Sequence, residues 1–222
     1  MKNRILNQKL LLAAILTVII SLNLGAQNDN EKEKMSTLFG NRDGHIDHGG
    51  WAGLNFGYTQ IKGNDTYLMG ARGGWMIDHH FTIGLAGMGF ISDRDYLSGL
   101  PKVEEVNLAG GYGGLFLEAT IAPFSPVHVT IPVIIGAGGV AYTRSYWYEN
   151  SWDNHNYSNY TLDSDAYFVF EPGLEIELNL IKFMRFAVGG SYRFTSDISM
   201  IESSPKMLHG FNGHFALKFG WF

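Results

Sequence analysis

Eight charged residues of this chain share one parity in stretches where apolar and polar residues alternate. They are four glutamates, three arginines and one lysine: Arg72, Glu118, Glu171, Glu175, Glu177, Arg185, Arg193 and Lys218. Alternate residues of a strand lie on one face of a sheet, so these side chains would meet as ion pairs. Buried charges without partners are strongly destabilising. We therefore predict an ion-pair network with a structural role, and no cofactor.

Two contacts of this network follow from the spacing of neighbouring segments. If the turn at 179–183 centres near Ile181, Glu177 lies opposite Arg185. The same register places Glu171 diagonal to Arg193, close enough for long side chains to interact.

Residues suited to covalent catalysis form no recognisable site. A nucleophile needs a base within reach, and no His-x-Ser pair occurs in the chain. His128 and Thr130 share one face of a segment, and Ser191 lies beside Arg193. We interpret His128, near a segment end, as a polar residue at the membrane interface.

Three residues near the amino terminus have metal-ligand spacing. His45, Asp47 and His48 lie in a polar segment without a fourth ligand nearby. Structural metal sites need a full ligand set and supporting hydrogen bonds. No metal site is predicted.

The elements that must position the charged residues are eight alternating segments. They are 51–61, 66–77, 81–90, 106–121, 127–142, 165–178, 184–194 and 210–222. Three short connections (78–80, 122–126 and 179–183) alternate with others of mostly ten or more residues (62–65, 92–105, 143–164 and 195–209). Pro132 removes a ladder hydrogen bond, so we expect a bulge or local irregularity there.

This layout predicts an all-β fold, an eight-stranded antiparallel up-and-down transmembrane β-barrel over residues 50–222. Tilted strands of about ten residues cross a bilayer, and closure leaves no edge that lipid could not satisfy. The alternative is a soluble lipocalin-like barrel with apolar residues inside. It would leave the uneven connections and the terminal aromatic strand without a reason.

The amino-terminal residues have the composition of a secretory signal peptide over 1–26. Three basic residues precede an apolar run that ends at Gly25-Ala26. Its removal would leave 196 of 222 residues, with 13 basic and 21 acidic residues and thus a net charge of −8. No cysteine is present, so the fold has no disulfides. Residues 27–49 are predicted to form a polar periplasmic lead-in. The chain has no run of Lys and Arg residues of the kind that binds nucleic acid.

The last segment alternates to the end of the chain, with Phe215, Leu217, Phe219 and Trp221 on one side and Phe222 on the other. It resembles the carboxy-terminal assembly signal of bacterial outer-membrane barrels. The stretches E-P-G-L-E-I-E-L-N-L (171–180) and F-A-V-G-G-S-Y-R-F (186–194) resemble Bacteroidetes-type barrel-domain proteins, and the layout resembles the outer membrane protein A barrel. The resemblance implies the bacterial outer membrane, with membrane lipid, lipopolysaccharide and the barrel-assembly machinery as partners.

Function must then reside in the lumen or the connections. A barrel of eight strands is just wide enough to be filled by side chains. The 143–164 connection is rich in aromatic residues, of which Trp152, Tyr157 and Tyr160 lie too far along to serve an aromatic girdle at the membrane interface. We predict a non-enzymatic barrel that presents this connection to a surface glycan or protein. A lipid-modifying enzyme and a narrow pore are the alternatives. For the connection itself, the alternative is that its first aromatic residues continue the fifth segment into the girdle and the rest is a solvated loop.

Overall fold

Eight strands follow one another along the chain. The computed structural model describes residues 47–92, 106–147 and 157–222. The strands are β1 (His48–Ile61), β2 (Asn64–Ile77), β3 (Phe81–Ser92), β4 (Val106–Ile121), β5 (Val127–Trp147), β6 (Tyr157–Ile181), β7 (Met184–Thr195) and β8 (Gly210–Trp221). The predicted signal peptide and nearly all of the lead-in lie outside the described residues. Within the described residues, no helix is long and apolar enough to cross a membrane.

The sheet closes into a barrel. Each strand pairs antiparallel with the next, and β8 pairs with β1, for example at Leu217 and Leu54. Closure gives every strand two hydrogen-bonded neighbours. The predicted fold class is confirmed.

The two faces of the wall differ in chemistry. Large apolar side chains point outward and are exposed, among them Leu54, Met69, Trp75, Leu85, Ile135, Phe170, Leu174, Val188, Phe215 and Trp221. The eight charged residues of the predicted network point inward, and each is at most 7% exposed. An apolar outside around a charged inside is the reverse of a soluble barrel, which removes the lipocalin-like alternative.

The ends of the barrel also differ. At one end, which we call the turn end, β2–β3, β4–β5 and β6–β7 are joined by the short connections 78–80, 122–126 and 182–183. The other end, the loop end, carries the connections 62–63, 93–105, 148–156 and 196–209. Lys62 and Gly63 both have positive φ, at 52° and 83°. That is the geometry of a two-residue turn matching the twist of a hairpin.

Several boundaries differ from the prediction. Most of the predicted 143–164 connection is strand, because β5 continues to Trp147 and β6 begins at Tyr157, with these two residues paired. The predicted irregularity at Pro132 is present, but it is not a bulge. The pairing of Pro132 with β4 is intact, and the β5–β6 ladder is interrupted there without a change of register, as expected for a residue without an N–H.

Candidate functional site

Lys218 is the central cation of the lumen. Its Nζ donates to both carboxylate oxygens of Glu118, at 2.9 and 2.7 Å, and also to Glu177. It lies 4.5 Å from the centre of the Trp51 ring. Because β8, β4 and β6 supply these groups, the contact ties together strands that are not neighbours in the wall.

Glu175 joins a second cation to this cluster. Arg72 forms a two-armed ion pair with it, both N–O distances being 2.7 Å. His214 Nε2 lies 2.7 Å from Glu175 Oε1, the oxygen that Arg72 Nη1 also contacts. The Arg72 guanidinium is also 5.3 Å from the Phe116 ring centre. Arg72 therefore pairs its charge with Glu175 and lies over an aromatic ring at the same time.

The network reaches the turn end through Glu177. Arg185 Nη1 donates to its Oε1 at 3.0 Å, and His128 Nε2 lies 3.1 Å from the same oxygen. The predicted register is wrong, because Glu177 pairs with Ala187 across the ladder. The turn lies at 182–183 rather than being centred at Ile181, and the ladder next to it has a register irregularity between Asn179 and Ile181. The Arg185 side chain is nevertheless long enough to reach Glu177 from its displaced position in the ladder.

His128 and Phe222 complete the turn end of the lumen. His128 is 3% exposed, so its interpretation as an interfacial residue is wrong. The Phe222 ring centre is 3.9 Å from the Arg185 guanidinium carbon. The inward parity of Phe222 therefore places a ring across the end of the lumen.

Glu171 belongs to a separate group nearer the loop end. It accepts hydrogen bonds from the Tyr112 hydroxyl (2.5 Å), the Ser191 hydroxyl (2.5 Å) and the Asn212 amide (2.9 Å). The predicted contact with Arg193 does not form among the described residues. Arg193 donates instead to the Leu208 carbonyl at 2.8 Å and lies over the Phe90 ring at 5.3 Å.

Ser191 is a lumenal hydroxyl with an acidic hydrogen-bond partner. It donates to Glu171, while the ring nitrogen of His214 is engaged by Glu175. The adjoining cavity, lined by Ser191, Asn212 and His214 among others, has a volume of about 20 Å³. That is room for a water molecule and not for a substrate.

Three carboxylates of the network could in principle hold a cation. Oxygens of Glu118, Glu175 and Glu177 all lie within 4.8 Å of one another. Three cations balance them in the same cluster, namely Arg72, Arg185 and Lys218. The residues therefore suit ion pairing.

The amino-terminal residues with metal-ligand spacing do not converge in the described part. Asp47 lies 3.7 Å from His79 Nε2, and His48 packs against Trp75 with ring centres 5.1 Å apart. His45 lies outside the described residues.

An apolar cap that the sequence analysis missed fills the loop end. Four residues of the 196–209 connection are buried there: Ile198, Met200, Met207 and Leu208. They form one cluster with wall residues that include Val106, Leu108, Val140 and Tyr142. The Tyr142 hydroxyl lies 4.0 Å from Met207 Sδ. The signal for this cap in the sequence is the set of apolar residues scattered through the 196–209 connection.

The predicted loop contacts fall in two places. Trp152 lies outside the described residues. Tyr157 and Tyr160 are strand residues of β6, where they pair with Trp147 and Arg144, so their placement in a loop is wrong.

The predicted assembly strand is β8. Phe215, Phe219 and Trp221 are 43%, 43% and 82% exposed on the outer face, where Leu217 also points. Recognition by the assembly machinery remains a prediction.

A closed barrel with an apolar exterior and a charged, filled interior is the architecture of a membrane-spanning barrel. The chain is an eight-stranded β-barrel of the outer-membrane type.

No protein-family model and no curated protein matches the sequence. Similar solved structures include Neisserial surface protein A (9% identity, TM-score 0.43, 80% of this chain and 98% of that one). Others are Ail of Yersinia pestis (12%, 0.36, 78% and 99%) and the outer membrane protease OmpT of Escherichia coli (9%, 0.31, 79% and 93%). At such values no residue role or activity is carried over.

Proposed function

We propose that the chain is a non-enzymatic barrel of the bacterial outer membrane that holds its loop-end connections in place for a partner outside the cell. The observation that carries this proposal is the filling of the lumen. Phe222 and Arg185 occupy the turn end, ion pairs occupy the centre, and the apolar cap occupies the loop end. A barrel filled in this way is a rigid scaffold for the connections at its loop end.

The same filling weighs against the two alternatives. A lipid-modifying enzyme needs a nucleophile, a base and room for substrate, whereas Ser191 faces a cavity of about 20 Å³. A narrow pore needs a continuous water path, which the packed side chains would have to leave open.

We place the binding surface at the hairpin of β5 and β6. These are the longest strands, with 21 and 25 residues, and they carry residues 148–156 between them. The sequence around this point mixes Trp and Tyr with Asn, Ser and Asp. That mixture combines flat contact surfaces with adaptable hydrogen bonds. The partner we propose is a surface glycan or protein.

The test exchanges residues 148–156 for Asn-Gly. Trp147 and Tyr157 are directly paired, so a two-residue turn can join them. Refolded protein should still migrate differently before and after boiling, while binding to glycan and matrix-protein arrays is lost. Trp152→Ala should weaken the same binding.

The matched control is Lys62→Asn, which places Asn-Gly in the natural two-residue turn of the same end. It should leave binding unchanged. Absence of binding by the full-length protein, or full binding by the exchanged variant, would contradict the proposal.

A further inference from the structure

The outer wall carries a large trough in the half nearer the loop end. It crosses β7, β8, β1, β2, β3 and β4 and has a volume of about 1020 Å³. Outward-facing Phe56, Met69, Ile91 and Phe215 form part of its lining, with Gly89 and Gly213 between them. A Cβ atom at Gly213 would meet nothing within 4 Å. Missing side chains on the outer face thus create the hollow.

The trough opens onto the apolar face of the barrel. Met69, Ile91 and Phe215 are 60%, 50% and 43% exposed, so its lining is continuous with the belt that contacts lipid. Water is not available to fill a hollow at this depth. An empty hollow would leave the lining atoms without dispersion contacts. The lipid bilayer that surrounds this face can fill the hollow with hydrocarbon.

We propose that this trough is a binding site for an acyl chain of a membrane lipid from the loop-end leaflet. Its volume lies at the upper limit of small-molecule sites, roughly 300–1,000 Å³. Five intervals of about 4.8 Å between these six strands make it roughly 24 Å long, measured around the curved wall of the barrel. The hydrocarbon of one leaflet, half of a core of about 30 Å, is shorter than this. The strands tilt, so the trough runs obliquely and can receive a chain that bends along the wall.

Polar groups at the loop-end rim define which headgroups fit. Tyr58, which lines the trough, donates to Asp65 at 2.5 Å, and the Gln60 amide donates to both, at 3.0 and 3.1 Å. These groups can exchange hydrogen bonds with headgroup hydroxyls. The carboxylate of Asp65 disfavours a phosphate directly beside it.

The experiment uses the full-length protein refolded in bilayers that contain a glucosyl diacylglycerol, whose headgroup carries hydroxyls and no phosphate, with a diazirine near the end of one acyl chain. After illumination, mass spectrometry locates the labelled residues. Labels should concentrate on peptides containing Met69, Ile91 and Phe215, relative to Phe168 and Leu174, which are exposed on the far wall at β6. Equal labelling of both walls would overturn the proposal.

Two glycine variants sharpen the result. Gly213→Leu fills the trough, and its labelling should fall about tenfold, which corresponds to about 1.4 kcal/mol. Gly87→Leu is the matched control, because a Cβ there also meets nothing within 4 Å, while Gly87 does not line the trough. Equal labelling of the two variants would refute the site. Cross-links between two copies at the trough residues would assign it to self-association and also overturn the proposal.

Folding of each variant is checked by the mobility change on boiling. Should Gly213→Leu fail this check, the labelling map of the unaltered protein decides alone. Neither outcome depends on the hairpin at 148–156, so this inference and the proposed surface-binding function can fail separately.

Discussion

Replacing Lys218 by Met tests whether the lumenal ion pairs hold the barrel together. Lys218 is fully buried, and its ammonium contacts Glu118 at 2.7 and 2.9 Å as well as Glu177. Methionine keeps the volume of the side chain but removes the charge, so two buried carboxylates lose their shared cation. Breaking a buried pair in this way costs about 3–5 kcal/mol.

That loss is large beside the total stability of a typical domain, about 5–15 kcal/mol. With a urea dependence of about 2 kcal/mol per molar, the unfolding midpoint should fall by roughly 2 M. Removing a carboxylate as well should recover most of it. In Lys218→Met/Glu118→Gln the central cluster regains charge balance, because Arg72 and Arg185 then face Glu175 and Glu177.

The assay is urea unfolding in lipid vesicles, followed by tryptophan fluorescence and by mobility on unboiled gels. Lys182→Met is the control, since Lys182 is exposed in the β6–β7 connection and its loss should change stability by no more than about 0.5 kcal/mol. A double variant as unstable as the single one, or less stable, would refute the reasoning. So would a Lys218→Met protein as stable as the control.

Further predictions concern the turn end, the loop end and the lumen as a whole. Arg185→Ala should destabilise by about 3 kcal/mol or more, and further than Arg185→Ala/Glu177→Ala, in the same urea assay; additive effects would show that the two side chains are independent. The Ser199 backbone N–H, 2.6 Å from Asp165, holds the pKa of that carboxyl below its usual 3.8. The contribution of this hydrogen bond to docking of the 196–209 connection is therefore complete above about pH 4 and is lost as pH falls through the lowered pKa; amide exchange at Ser199, corrected for its intrinsic pH dependence, should accelerate only there, and a uniform rate would contradict this. Planar-bilayer recordings of refolded protein should show no steady conductance, because the lumen is packed, and stable unitary steps would contradict a filled barrel.

The sequence predicted the strands of the barrel wall more completely than the side-chain contacts inside the lumen. Strict alternation in β8 places Lys218 inside and Phe219 outside whatever the register, because side chains of a strand alternate. The Glu177–Arg185 geometry depended instead on where the turn centres, and the turn lies at 182–183 rather than at Ile181. A displacement of this size depends on local backbone packing that no residue pattern encodes.

The contents of the loop end were harder to predict for another reason. Ile198, Met200, Met207 and Leu208 follow neither a strand nor a helix period, so the sequence analysis assigned the connection no packed structure. Only closure of the barrel creates the hollow that these residues fill. His128 was misplaced similarly, because its nearness to a strand end suggested the rim, whereas its parity, which determines its environment, points inward.

The length of β6 has a consequence for how copies of this protein behave beside one another. Its ladder with β7 extends no further towards the loop end than Val169 and Thr195, and Phe168 still bonds Ser196 through its backbone N–H and C=O. From Tyr157 to Tyr167 the described strand has no ladder partner on that side. A bare strand edge is a template for another chain to add to. Asp163 and Asp165 instead accept the backbone N–H groups of Ile201 and Ser199, at 2.7 and 2.6 Å. Their negative charges would repel the same edge of a neighbouring copy, which would keep densely packed barrels from joining edge to edge.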